Sequence, residues 1–300
     1  MRFNLPVLVY QEKNCVHNHA DEIAQMGKNA LIVTGRNSSK KNGSLDDVIN
    51  ALKSKNIKYT VYDGVEENPS VETVMEAREI GVKAGCDFII GIGGGSPMDA
   101  AKAIGVMIYY KNENKDFLYK SVSNSQSLPV IEVPTTCGTG SEVTTVAVLT
   151  VHNEKTKKSM SHRIFPRMAL VDEKYIKNAP LKVICDTAID ALAHIVESCI
   201  NNNATEYSKM FAKEGLEAWS KFKDVLLGNR EATDEDFHNM MYASTLAGMC
   251  IAHAGTSLPH GLSYPITYEL GISHGKAVGY FLPGYINEAT DEDKEFVLKA

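Results

Sequence analysis

Short β-branched runs alternate with polar amphipathic stretches through the first half of this chain, and around residue 175 they give way to long stretches with helical spacing. Strands separated by helix-length crossovers pair in parallel, so the first half is confined to an α/β fold with a parallel sheet. AlaLeuIleValThr (30–34) reads as a strand, Ser44 with Asp47 three residues on caps a helix to about Lys55, and IleLysTyrThrValTyr (57–62) is the next strand. Ser70 opens a helix reaching about Lys83, and AspPheIleIleGlyIle (87–92) makes a third strand. Pro97 suits the first turn of a helix running to about Tyr110, and ProValIleGluValPro (129–134) is a fourth strand. Helical spacing at 183–200, 205–223 and 234–254 makes the second half all-helical. The boundary falls after AlaLeuValAsp (169–172), which divides the chain into an α/β domain at 1–175 and a helical domain at 176–300.

Each half carries one polar cluster with chemistry in it. In the helical half, Asp190 and His194 stand four apart and project from one helix face. His260 and His274 mark the ends of a Gly/Pro-broken loop, with Pro259, Gly261 and Gly275 beside them, where backbone breaks can aim side chains into a cleft. One carboxylate and three imidazoles could close around a divalent metal. A lone histidine is more often a hydrogen-bonded structural residue. His253, in the apolar stretch AlaGlyMetCysIleAlaHisAla, is the competing ligand, while His17, His19, His152, His162 and His238 lie in polar surroundings and read as surface residues.

In the α/β half, GlyIleGlyGlyGlySerProMetAsp (91–99) stands between an apolar strand and a helix. Backbone NH groups bind phosphate in that context, and glycines let the backbone approach closely. The usual dinucleotide fingerprint needs a third glycine where Ser96 stands, and it normally follows the first strand rather than the third. A tight strand-to-helix turn is the plainer alternative. A second polar turn, ProThrThrCysGlyThrGlySerGlu (134–142), offers hydroxyls and NH groups of the same kind, and two such turns suit a dinucleotide better than one phosphate. With the metal residues in one half and the glycine loop in the other, a site between the two domains is the natural expectation.

Composition limits the partners. A formal charge of -6 argues against a nucleic-acid or anionic-membrane surface. The N-terminus shows no charged-then-apolar signal pattern and the chain has no apolar run of about 18 residues, so a cytoplasmic protein that does not span a membrane is expected. The six cysteines form no Cys-x-x-Cys pair and read as reduced thiols.

Together, GlyGlyGlySerProMetAspAlaAlaLys (93–102), ProThrThrCysGlyThrGlySerGlu (134–142), AspAlaLeuAlaHisIleValGlu (190–197) and HisGlyLeuSerTyrPro (260–265) with His274 and Gly275 resemble the motifs of the iron-containing, or group III, alcohol dehydrogenases. The resemblance implies an N-terminal Rossmann-like α/β domain and an all-α C-terminal domain, a plan shared with dehydroquinate synthase. It implies a metal, Fe2+ with Zn2+ as the alternative, held by Asp190, His194, His260 and His274, which leaves His253 out. By the same resemblance Gly94, Gly95 and Ser96 bind the pyrophosphate, Asp99 helps fix that loop, and Asn68, Thr135, Thr136, Thr139 and Lys158 make further coenzyme contacts.

Members that prefer NAD carry an Asp just after the first strand, where Gly35 stands here with Arg36, Ser38 and Lys40 close by. NADP(H) is therefore favoured over NAD(H). The implied reaction is hydride transfer between NADP(H) and a small primary alcohol or aldehyde, in a homodimer. This chain departs from the pattern at Tyr264, where many relatives have a second His suspected of relaying a proton, and it is shorter than members commonly are. A zinc-dependent polyol (glycerol-type) dehydrogenase or a dehydroquinate-synthase-like enzyme shares the plan but typically uses three metal ligands. A non-catalytic nucleotide- or metal-binding regulator is the alternative from outside enzymology.

Overall fold

The computed structural model describes residues 3–299. They form two compact units: an α/β unit of residues 6–135 and 141–175, and a helical unit of residues 176–299 together with 3–5 and 136–140.

The α/β unit contains strands β1 (Leu8–Gln11), β2 (Asn29–Gly35), β3 (Lys58–Val65), β4 (Phe88–Gly93), β5 (Val130–Pro134), β6 (Val148–Val151), β7 (Thr156–Ser159) and β8 (Met168–Val171). Its helices are α1 (Cys15–Asn18), α2 (Ala20–Ala24), α3 (Ser38–Lys41), α4 (Ser44–Ser54), α5 (Val71–Ala84) and α6 (Gly95–Tyr109). Six strands make one sheet in the order β1-β8-β5-β4-β2-β3, every neighbouring pair parallel, while β6 and β7 form a separate antiparallel hairpin.

Side chains alternate across the strands, which is why a parallel sheet covered on both faces needs an apolar residue at nearly every position. Leu31, Val33 and Ile89 pack with α5 and α6 on one face. Ala30, Ile32, Ile90 and Ile92 pack with Val48 and Leu52 of α4 on the other. The chain runs from β2 outward to β3 and then returns to the opposite side of β2 as β4. The crevice beyond the carboxyl ends of β2 and β4 is therefore the switch point where open α/β sheets bind ligands.

Three local readings change in the α/β unit. β1 is a strand, so the glycine loop follows the fourth strand and not the third. This edge strand is only four residues long and its first residue is exposed, so it carries no continuous apolar run. Ser44 does not cap α4: Gly43 holds that place in the left-handed conformation, and Ser44 is the first helical residue, its hydroxyl donating to Asn42 Oδ1 at 2.7 Å. His162 is buried and not at the surface. Its ring bridges Phe117 O (2.7 Å) and Ser125 Oγ (2.9 Å), partners about forty residues away in sequence.

The helical unit runs through α7 (Leu181–Ile200), α8 (Glu206–Ser220), α9 (Lys223–Leu226), α10 (Asp234–Ala254), α11 (Leu258–Leu270), α12 (His274–Gly279), α13 (Leu282–Asn287) and α14 (Asp291–Lys299). Thr205 and Thr233 open α8 and α10 with reciprocal capping boxes. Trp219 of α8 donates its indole NH to Ala188 O of α7 at 2.7 Å, which pins these two helices together.

The segment between His260 and His274 is not a broken loop, because most of it is α11. Pro259 sits in the first turn, where a missing NH has no helical partner to lose. Pro265 lies in the interior at a local cost, and packing of His260, Ser263 and Thr267 along one buried stripe overrides it. Among the described residues no helix is long and apolar enough to cross a membrane. All six cysteines are free thiols.

Candidate metal centre and phosphate loop

Asp190, His194 and Glu197 are spaced 0, 4 and 7 along α7, so they share a face, and all three are buried. His260 joins them from the first turn of α11 and His274 from the first residue of α12. The Nε2 atoms of His260, His274 and His194 lie 3.4, 3.7 and 4.0 Å from one atom, Asp190 Oδ1.

Behind each ring, Nδ1 is engaged. His194 donates to Gly138 O (3.2 Å), His260 donates to Glu197 Oε1, and His274 faces Ser263 Oγ (3.4 Å), whose own proton goes to His260 O (2.7 Å). Such bonds set the tautomer that leaves Nε2 as a lone pair. Lone pairs converging on a carboxylate oxygen repel one another unless a cation sits among them. Asp190 Oδ1 and His260 Nε2 are also buried without a well-aligned hydrogen bond, which is otherwise costly.

The spacing fits a metal. Two donors about 2.1 Å from a tetrahedral ion stand roughly 3.4 Å apart. The ligand atoms of Asp190, His260 and His274 all lie within 4.8 Å of one another. His194 stands at the edge of this trio with its ring stacked on His260, centroids 4.4 Å apart. Nitrogen and oxygen donors without a thiolate suit divalent first-row ions.

Burial opposes charge on Asp190, yet His194, His274 and His260 hold its carboxyl well below the usual range. Burial keeps the His194 imidazole below its ordinary value. Burial alone would depress His260 as well, but Asp190 and Glu197 push it up to about 9. His253 is elsewhere: Nδ1 donates to Met249 O (2.7 Å), Nε2 accepts from Asn4 N (3.4 Å), and the ring stacks on Phe3 with centroids 4.7 Å apart.

One glycine lets His274 approach. A Cβ on Gly275 would stand 1.8 Å from Asp186 O and 3.3 Å from Asp190 Cβ, so α12 rests directly on the backbone of α7. Ser273 Oγ donates to Asp186 Oδ2 (2.6 Å) and anchors the same turn.

In the α/β unit, β4 ends at Gly93 with φ +153, where a Cβ would meet Pro97 Cγ at 2.5 Å, and Gly94 caps α6. The first NH groups of α6 have no helical partner and lie at the switch point, as a phosphate requires. Ser96 Oγ accepts from Asn68 N (3.0 Å), and Thr135 N donates to Gly93 O (2.8 Å). Asp99 accepts from Ser141 Oγ (2.6 Å) and Val148 N (2.8 Å). The fully buried Lys102 donates to Ser141 Oγ (2.6 Å) and Val146 O (2.6 Å), so α6 holds the end of the second polar turn.

Gly35 closes β2 beside this loop, and Ser38 begins α3. Lys40 pairs with Asp63 at 2.5 Å. Thr136 and Thr139 belong to the helical unit. Lys157 reaches Asn68 Oδ1 (2.8 Å), while the neighbouring Lys158 pairs with Glu154 (3.3 Å). Sequence reasoning passed over Lys157, Lys102 and Glu197. Only Glu197 carried a signal, its i+7 spacing from Asp190.

Comparison with known proteins follows both units. The family model for iron-containing alcohol dehydrogenase matches residues 6–173, and that for the C-terminal part of the Fe-containing alcohol dehydrogenase family matches residues 184–297. A long-chain primary alcohol dehydrogenase, AdhA, from Thermoanaerobacter ethanolicus is 33% identical over 261 residues, covering 86% of this chain and 65% of the relative. An NADPH-dependent butanol dehydrogenase from Clostridium saccharobutylicum is 32% identical over 292 residues, covering 94% of this chain and 72% of the relative. The solved structure of an iron-containing alcohol dehydrogenase from Thermotoga maritima superposes with a TM-score of 0.93 at 40% identity, covering 99% of this chain and 82% of that one. With both the sheet and the helical unit matched, this chain belongs to the iron-containing alcohol dehydrogenase family.

Proposed function

We propose that this protein is a metal-dependent alcohol dehydrogenase and aldehyde reductase that passes a hydride between NADP(H) and a small primary alcohol or aldehyde. The convergence of three imidazole Nε2 atoms on the buried Asp190 Oδ1 carries the reading. Asp190, His194, His260 and His274 would hold a divalent ion, Fe2+ by family and Zn2+ as the alternative, which supplies Lewis-acid polarisation of an alcohol or carbonyl oxygen. The NH groups at Gly95 and Ser96 take the coenzyme pyrophosphate, with Gly94 giving it close access to the loop and Asp99 steadying the turn beside it.

Tyr264 lies one helical turn beyond His260, and its ring packs on His274 with centroids 5.8 Å apart. We assign its hydroxyl to passing the alcohol proton, although a phenol, with an ordinary pKa of about 10, is a weaker base at neutral pH than an imidazole. Anaerobically purified protein should contain a divalent transition metal and oxidise NADPH with butanal, lactaldehyde or 3-hydroxypropanal. Tyr264→Phe should keep the metal and lower kcat. Full activity of protein stripped of metal by a chelator would sink the reading.

Coenzyme choice rests on the residues after β2. No carboxylate stands at Gly35 to take a ribose 2'-hydroxyl, and with Lys40 engaged by Asp63, Arg36 is the cation of the Arg36, Ser38 and Lys40 set left to meet a 2'-phosphate, beside the Ser38 hydroxyl. Arg36→Ala is expected to raise KM for NADPH about tenfold, equivalent to about 1.4 kcal/mol, and to leave KM for NADH unchanged. Equal changes for both coenzymes would remove Arg36 from the selectivity argument.

A further inference from the structure

We propose that Glu197 is a positioning residue for the metal centre: it orients His260 through Nδ1 and supplies the second negative charge that neutralises a buried divalent ion. The inference rests on the ligand set proposed above. Glu197 is 0% exposed and follows Asp190 by seven residues on the same face of α7. Its Oε1 accepts from His260 Nδ1. Its Oε2 accepts from Ser257 N (2.5 Å) and Ser257 Oγ (3.1 Å), and that hydroxyl also meets Tyr285 OH at 2.8 Å.

Ser257 opens α11 three residues before His260. One carboxylate thus grips both the imidazole and the start of the helix that carries it, which fixes the ring's rotation and its place along the helix axis. Nε2 is thereby aimed at Asp190 Oδ1 before any ion arrives.

Charge gives the second half of the role. Three neutral imidazoles and the Asp190 carboxylate leave a divalent ion with one uncompensated positive charge among side chains that are mostly buried. Isolated buried charge is costly, and the nearby Glu197 carboxylate cancels it. A helix cap alone would need only an acceptor oxygen at Ser257, whereas a positioning role needs both the His260 bond and the charge. Glu197→Gln separates the two, because it preserves the size and an acceptor while removing the charge.

The test is Co2+ binding to the full chain, stripped of metal and titrated anaerobically against a chromophoric chelator. Glu197→Gln and Glu197→Ala should each weaken Co2+ binding by about 10- to 100-fold and alter the visible absorption of bound Co2+, while the metal-free variants keep the parent's far-ultraviolet circular dichroism. Glu197→Gln with the parent's affinity and spectrum would overturn the proposal. So would Glu197→Gln that gives no folded protein even with excess Co2+, because Glu197 would then serve the fold alone. His260→Ala separates the two levels of argument. If it binds Co2+ at the parent's affinity, the ligand set itself fails; if it loses Co2+ while Glu197→Gln keeps it, only the role of Glu197 fails.

Discussion

His260→Ala is expected to leave a folded protein that retains no metal through purification and reduces aldehydes at least about 10³-fold more slowly than the parent. Lewis-acid stabilisation is worth several kcal/mol, and each 1.36 kcal/mol is a factor of ten, so about 4 kcal/mol sets that scale. The substitution removes the ring nearest Asp190 Oδ1, at 3.4 Å, and the ring against which His194 stacks. It also leaves Glu197 buried without its imidazole partner, so the loss exceeds one coordinate bond. Metal content by elemental analysis and kcat/KM for butanal with NADPH check the result. Chelator-treated parent should lose activity and regain it with Fe2+ or Zn2+, whereas His260→Ala should not respond. Parent-level turnover by a metal-free His260→Ala protein would refute the assignment.

The metal cluster was partly legible because Asp190 and His194 are related by local helix geometry, which spacing alone reveals. The other partners arrive through packing. Glu197 could be seen at i+7, but its use depends on meeting a ring 63 residues further on, and no local rule shows that. The central strands are legible to within about two residues because both their faces are buried, leaving apolar runs that only Glu132 of β5 interrupts with a charge. β1 and the β6–β7 hairpin escaped because short strands at an edge or outside the main sheet carry no such run. Propensity misled at α11, where Gly261 and Pro265 argue for a loop. His162 misled in the same way, its polar neighbours in sequence hiding a ring that the fold carries inside. The glycine loop was legible from composition, but Asp99 and Lys102 act on Ser141, about forty residues later.

Gly275→Ala should weaken metal binding by at least about 100-fold even though alanine favours a helix over glycine by about 1 kcal/mol. The added methyl would lie 1.8 Å from Asp186 O, against a backbone that cannot swing aside as a side chain would. Either α12 moves off α7 by more than an ångström or α7 bends, and each displaces His274, whose Nε2 now stands 3.7 Å from Asp190 Oδ1. Overpacking of this kind typically costs 1–3 kcal/mol, so the thermal midpoint should fall along with the metal affinity.

Gly279, one turn later on α12, provides the internal comparison. A Cβ there would meet the Ile189 Cγ2 methyl at 2.8 Å, a longer contact than the 1.8 Å at Gly275 and one made to a side chain rather than to the α7 backbone. Gly279→Ala should therefore bind metal within a few-fold of the parent, while Gly275→Ala binds it poorly in the same titration. Both substitutions add the same atom to the same short helix, so helix propensity cannot separate them. A difference in affinity would have to come from what each methyl meets on α7, and equal affinities would mean that His274 does not depend on the close approach at Gly275.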